Sequence, residues 1–142
     1  MRPTSNKRLL PYIFFEDLAK AIPWLIHVFG FEERFRLDLP NGAIAHAELQ
    51  IGDGVIMLGN VGARNTVRPV TVRSSVYVFV DDVDAHHENA KSRGAEIVKP
   101  PAEQPFGDRI YLAFDLEGHE WYFAQHVRDV EVEELKKMIG GV

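Results

Sequence analysis

Ile13-Phe14-Phe15-Glu16-Asp17-Leu18 and Val78-Phe79-Val80-Asp81-Asp82-Val83 lie at an offset of 65 and share one character. Each is an extended apolar run that ends in acidic residues placed to cap a helix. The correspondence continues on both sides. Gly30 in Phe29-Gly30-Phe31 matches Gly94 in Arg93-Gly94-Ala95, and Gly54 in Gly52-Asp53-Gly54-Val55 matches Gly118 in Leu116-Glu117-Gly118-His119, both at an offset of 64. Landmarks repeated at nearly one spacing mark an internal duplication. The 142 residues therefore read as one domain made of two copies of a unit too short to bury a sufficient core alone.

Each copy reads strand, helix, strand, strand, strand. In the first, residues 9–15 form the opening strand. Asp17 caps a helix whose Leu18, Ala21, Ile22, Leu25, Val28 and Phe29 recur at helical spacing, and Gly30 provides its left-handed exit. Pro23 removes one hydrogen bond inside that helix, which predicts a start nearer Ala19 or a bend. Phe31, Phe35 and Leu37 predict a second strand, Pro40-Asn41-Gly42 a turn, and residues 43–51 an alternating third strand; Asp53-Gly54 then turns into Val55-Ile56-Met57-Leu58. The second copy repeats this with a strand over 75–80, a helix over 82–93 ended by Gly94, and strands near 95–99, 109–115 and 119–126. The modules thus span about 9–59 and 75–126, joined by a linker over 60–74 rich in Gly, Asn, Thr and Pro. Residues 100–108 contain Pro100, Pro101 and Pro105 and read as a loop, because proline has no donor for a ladder. Val132, Leu135, Met138 and Ile139 share one face of an amphipathic helix over about 129–139, expected to pack on its own domain or on a second copy of the chain rather than on a membrane.

Composition removes several function classes. With no Cys, thiolate nucleophiles, zinc fingers and iron–sulfur clusters are excluded. A net charge of −5 without a basic patch argues against nucleic acid as a partner. The run Leu9 to Phe15 contains Pro11 and is closed at once by Glu16 and Asp17, so it reads neither as a secretory leader nor as a membrane span, and a cytoplasmic location is expected. There is no Gly-x-Ser-x-Gly elbow, and Gly54 to Gly59 lacks the lysine of a phosphate loop.

The duplicated unit resembles the vicinal oxygen chelate superfamily, which includes glyoxalase I, extradiol dioxygenases, and fosfomycin and bleomycin resistance proteins. The residues that carry the resemblance are Pro11-Tyr12-Ile13-Phe14-Phe15-Glu16-Asp17, Val28-Phe29-Gly30-Phe31, His46-Ala47-Glu48-Leu49, Gly107-Asp108-Arg109 and Asp115-Leu116-Glu117-Gly118-His119-Glu120-Trp121. The last two are similar to the glyoxalase/bleomycin resistance (PhnB-like) subgroup. The resemblance implies an α+β fold in which two sequential βαβββ modules form a curved eight-stranded mixed sheet around a cleft, in a homodimer. Metal-dependent members take one His or Glu ligand from the first and last strand of each half. Those positions fall on Leu10, Met57, Ser75 and Tyr122, none of which suits a hard or borderline divalent ion, so no metal or other cofactor is expected.

Apolar, aromatic and hydroxyl side chains at these four places suit a small organic molecule better than an ion. Tyr12, Phe14, Tyr77, Phe79 and Tyr122 alternate on the face of the lost ligands and either line a pocket or fill core; Met57 and Ser75 occupy ligand positions themselves. Phe106 belongs to the proline-rich loop, and Arg109 at its mouth meets either an anionic ligand or Asp108. Glu120 shares a strand face with Tyr122. His46 and Glu48, two apart on a strand, point to one face; they are either an acid–base pair or a polar pair at a solvated edge or dimer interface. His119 is assigned a hydrogen-bonding role in its turn, and His86, His87 and His27 helix-surface or half-buried packing. The resemblance thus implies metal-independent sequestration of a small molecule, as in antibiotic resistance by bleomycin-binding proteins. The alternatives are a lyase or isomerase resembling glyoxalase I with His46 and Glu48 as acid and base, or a dimeric interaction protein with an empty cleft.

Overall fold

Asp17 accepts a hydrogen bond from the Lys20 amide at 3.2 Å, and Gly30 takes the left-handed φ of 82°. These two residues bound helix α1, Leu18–Phe29, as the sequence predicted. In the second module Asp82 caps α2, Val83–Ser92, by accepting from the Ala85 amide, and Gly94 exits at φ 104°. The computed structural model describes residues 8–63 and 74–139 and divides into two compact units, Met1–Val72 and Arg73–Val142.

α1 starts at Leu18 and continues through Pro23 rather than starting later. The amide that proline lacks would have bonded the Ala19 carbonyl, and both residues are exposed, so the unpaired carbonyl costs little there. The strands of the first unit are β1 (Tyr12–Phe15), β2 (Glu32–Asp38), β3 (Ile44–Ile51) and β4 (Gly54–Asn60). Those of the second are β5 (Val76–Phe79), β6 (Glu96–Glu103), β7 (Asp108–Phe114) and β8 (Glu120–His126).

The eight strands make two four-stranded mixed sheets, β1-β4-β3-β2 and β5-β8-β7-β6, not the single eight-stranded sheet expected. Each module closes its own ladder: three strands run as an antiparallel meander, and the first strand lies parallel beside the last. A second correction concerns Pro100 and Pro101, which lie inside β6 and not in a loop. β6 is an edge strand, and its register shifts between Lys99 and Ala102, so the two prolines sit where no ladder donor is required. The linker begins later than predicted, since β4 reaches Asn60 and a 3₁₀ turn follows over Val61–Ala63; residues 64–73 of it lie outside the described residues.

Helix and sheet enclose one apolar core in each unit. In the first, Ile22, Leu25 and Phe29 of α1 are buried with Phe15, Leu49 and Leu58 of the sheet. In the second, Val83 and Ala90 of α2 are buried with Tyr111, Trp121 and Phe123. Only one face of each sheet is consumed in this way. The third helix, α3, spans Val132–Ile139; its Val132 is exposed and Leu135 half-buried, and the side chains of Met138 and Ile139 lie outside the described ones. Among the described residues no helix is long and apolar enough to cross a membrane.

Candidate functional site

Register aligns side chains across the sheet face that α1 leaves open. Tyr12 pairs with Met57, Met57 with Glu48, and Glu48 with Phe35, so one row crosses all four strands. Phe14 lies two residues from Tyr12 and stacks on it, rings 4.6 Å apart and 7° from parallel. The aromatic platform can settle this closely because β4 has a glycine beneath it: a Cβ on Gly59 would stand 2.8 Å from the Tyr12 ring.

A polar line runs beside the platform. The Tyr12 hydroxyl lies 3.2 Å from His46 Nδ1, and His46 Nε2 lies 3.9 Å from Glu48 Oε2. On the other side of Glu48, Arg34 Nε lies 3.8 Å from Oε1, while its Nη1 donates to Gln50 Oε1 at 3.0 Å. Strict alternation from Phe35 would turn Arg34 toward α1. The register shift between Glu33 and Phe35 is a bulge that turns it onto the open face instead. Glu48 is 6% exposed, and a carboxylate so buried requires opposite charge and donors around it. A histidine with a carboxylate at one nitrogen and a phenol at the other has the layout of an oriented general base.

The second module repeats the frame with different chemistry. Tyr77 pairs with Tyr122, Tyr122 with Leu112, and Leu112 with Lys99. Tyr77 stacks on Tyr122 with centroids 6.0 Å apart and meets Phe79 edge-on at 5.3 Å. Its hydroxyl donates to Asp108 Oδ2 at 2.6 Å. Burial first, and the bond to Asp108 second, push the Tyr77 pKa up, so the phenol keeps its proton and its oxygen can only accept from a ligand. Tyr12, Tyr77 and Phe79 are 46%, 42% and 61% exposed, whereas Glu48 and Leu112 at the centres of the two rows are buried, so the exposed aromatic surface lies on the outer strands β1 and β5.

The remaining candidates distribute as follows. Ser75 immediately precedes β5 and is exposed, and Phe106 is exposed in the turn before β7. Glu120 opens β8, half-buried, two residues from Tyr122. Arg109 pairs with neither Asp108 nor the aromatic face: its Nε and Nη2 grip Asp84 of α2 at 3.0–3.2 Å. Neighbouring strand residues point to opposite faces, so Asp108 joins Tyr77 while Arg109 turns to the helix. His119 holds its turn, with Nδ1 2.9 Å from Asp115 Oδ2, and His86 is half-buried with Nδ1 2.5 Å from the Tyr111 hydroxyl. Sequence reasoning missed Arg34, whose bulge has no local signature, and it missed the link from Tyr77 through Asp108 to His126 and Asp129, which is assembled from three separate stretches.

Leu10, Met57, Ser75 and Tyr122, the positions aligned with metal ligands, bring no carboxylate or imidazole, and no three His, Asp or Glu side chains gather as an ion site among the described residues. These residues do not fit a divalent metal.

Comparison with known proteins agrees with the frame. Residues 8–123 match the Glyoxalase/Bleomycin resistance protein/Dioxygenase superfamily model. An uncharacterised protein of Mycobacterium bovis is 30% identical over 135 residues, which is 90% of this chain and 89% of that one. The crystal structure of TioX from Micromonospora sp. ML1 superimposes with a TM-score of 0.72 at 36% identity, covering 85% of this chain and 99% of TioX. Maize (Zea mays) glyoxalase I, solved as its V278E mutant, shares the fold at a TM-score of 0.67 and 22% identity, with 84% of this chain covering 45% of that one. The chain belongs to the glyoxalase/bleomycin resistance protein/dioxygenase superfamily.

Proposed function

We propose that the protein binds a small organic molecule on its open aromatic faces without a metal ion, in the manner of the sequestering, bleomycin-resistance branch of its family. The observation that carries this reading is the substitution pattern at the inherited ligand positions. Met57 lies beside Tyr12, and Tyr122 beside Tyr77, in matching ladder rows, so thioether and phenol rings stand where an ion would need carboxylate or imidazole. Exposed stacked rings next to a few fixed polar groups are the composition of a binding surface for a planar or apolar molecule. Tyr12, Phe14, Met57, Tyr77 and Tyr122 supply contact area, and Glu48 and His46 supply polar specificity.

Native mass spectrometry of the protein as purified tests this directly. The expected spectrum shows a retained organic mass or an empty chain that takes up aromatic compounds, in the homodimer the family resemblance implies. A stoichiometric divalent ion would sink the proposal. A second reading is favoured by the Tyr12–His46–Glu48 line, which suits acid–base catalysis of a glyoxalase-type isomerisation. Turnover of an α-oxoaldehyde–thiol adduct that disappears in His46→Ala would select that reading over sequestration.

A further inference from the structure

His126 closes β8, and both of its ring nitrogens face carboxylate oxygens: Nδ1 lies 2.8 Å from Asp108 Oδ1, and Nε2 lies 2.6 Å from Asp129 Oδ1. Carboxylate oxygens only accept. Both contacts are therefore hydrogen bonds only when the imidazole carries two protons, because a neutral ring donates from one nitrogen and turns a lone pair on the other partner. The two carboxylates differ in their anchorage. Asp108 is buried and holds the Tyr77 hydroxyl on its second oxygen, whereas the Asp129 side chain is 99% exposed, on the segment that leads into α3.

That segment is already docked on the loop before β7. The amides of Val127 and Arg128 donate to the Gly107 carbonyl at 2.8 and 3.1 Å. Gly107 has a φ of 98°, and a Cβ there would collide with the Arg128 carbonyl oxygen. We propose that His126 is a proton-operated latch: its doubly protonated ring ties the segment leading into α3 to β7, and loss of one proton releases the Asp129 arm. The groups facing the ring are Asp108 of β7, Asp129 of the following segment and, through Asp108, Tyr77 of β5. The bond to Asp108, then that to Asp129, raises the His126 pKa above its ordinary value. A histidine whose folded pKa is raised contributes its tie in full below the unfolded value and loses it as pH rises through the folded one. Release therefore falls above about pH 6.5, and salt promotes it because the pair is exposed. The latch stands without any ligand; its effect on what binds beside Tyr77 rests on the proposed function.

The test is proton NMR on the full chain, following the His126 ring signal and the amide exchange of Val127 and Arg128 against pH, with Asp129→Ala and His126→Gln beside the wild type. Both side chains are half or more exposed, so both variants keep the fold. The wild-type midpoint is expected above the ordinary histidine range, and Asp129→Ala lowers it by a few tenths of a unit, the size an exposed charge pair supplies. Protection at the two amides should fall across that midpoint, beyond the intrinsic base-catalysed rise, and should show no such step in His126→Gln. A midpoint at or below the ordinary range, one unmoved by Asp129→Ala, or protection that is level across it would overturn the latch, and none of these bears on whether the aromatic faces take a ligand.

Discussion

Replacing Asp115 by Asn should destabilise the second module by about 2–4 kcal/mol, although the side chains are nearly isosteric. The Asp115 carboxylate is fully buried and accepts from every direction. Oδ1 takes the Glu117 and His119 amides at 2.9 and 3.1 Å, Oδ2 takes the Trp121 indole N–H at 3.0 Å, and His119 Nδ1 approaches both oxygens. Asparagine keeps one acceptor and turns the other position into a donor. With its amide nitrogen toward Trp121, a fully buried indole N–H faces another donor, at about 1–3 kcal/mol; flipped, two backbone amides lose their acceptor instead. Losing the negative charge weakens the surviving bonds by roughly half, which brings the total to about 2–4 kcal/mol. At about 4 °C per kcal/mol for a chain of this size, thermal unfolding should begin about 8–16 °C lower. Urea and thermal denaturation of Asp115→Asn beside the exposed control Glu134→Gln measure this. Trp121→Phe supplies the second half of a double-mutant cycle, because without the indole N–H the asparagine can present its amide harmlessly; a coupling of about 1–2 kcal/mol is expected. A cost within about 0.5 kcal/mol of the control, or no coupling to Trp121, would refute the account of Asp115 as an acceptor hub.

Gly107→Ala should cost about 3–5 kcal/mol in urea denaturation, combining the left-handed φ with displacement of Arg128 and loss of the bonds that the Val127 and Arg128 amides donate to the Gly107 carbonyl, whereas Gly42→Ala, also left-handed but with open space around it, should cost only about 1–2 kcal/mol. Zn²⁺ or Mn²⁺ added to saturation should leave the melting temperature unchanged, since an ion that binds only the folded state raises it; a rise that grows with concentration would contradict the donor assignment. Glu48→Gln keeps the shape but discharges the centre of the first polar line, so isothermal titration with whichever organic compound the protein retains should show affinity falling by about tenfold; unchanged affinity would remove Glu48 from the site.

The frame was legible in the sequence because its signals are local. Asp17 and Asp82 before apolar helical spacing, with Gly30 and Gly94 after it, mark both helices within a residue or two of where they lie. The duplication supplied the rest, since a strand recognised in one copy predicts its partner in the other. What failed did so where tertiary context outweighs local rules. Pro100 and Pro101 break a central strand but not the edge strand they occupy. Arg109 follows the alternation of β7 to Asp84, whereas nearness in sequence pointed to Asp108. Of the candidate site, the pairing of His46 with Glu48 follows from strand parity alone; the parts brought by Arg34, Asp108 and His126 depend on a bulge and on chain segments that meet only in the fold.

The two modules place the same tyrosine in two different acid–base settings. Tyr12 and Tyr77, Met57 and Tyr122, Glu48 and Leu112, and Phe35 and Lys99 occupy matching positions of the two ladder rows, at offsets of 64 or 65. The Tyr12 hydroxyl meets an imidazole nitrogen, which accepts or donates according to its tautomer, and a buried carboxylate follows on the same line. The Tyr77 hydroxyl meets a carboxylate that only accepts, and the centre of its row is Leu112. The imidazole beside Tyr12 can therefore exchange donor and acceptor roles with the phenol, whereas Asp108 holds the Tyr77 phenol as a donor and the centre of that row carries no carboxylate. The duplicated frame thus keeps its ladder register while the side chains at matching positions differ, Glu48 against Leu112 and Met57 against Tyr122.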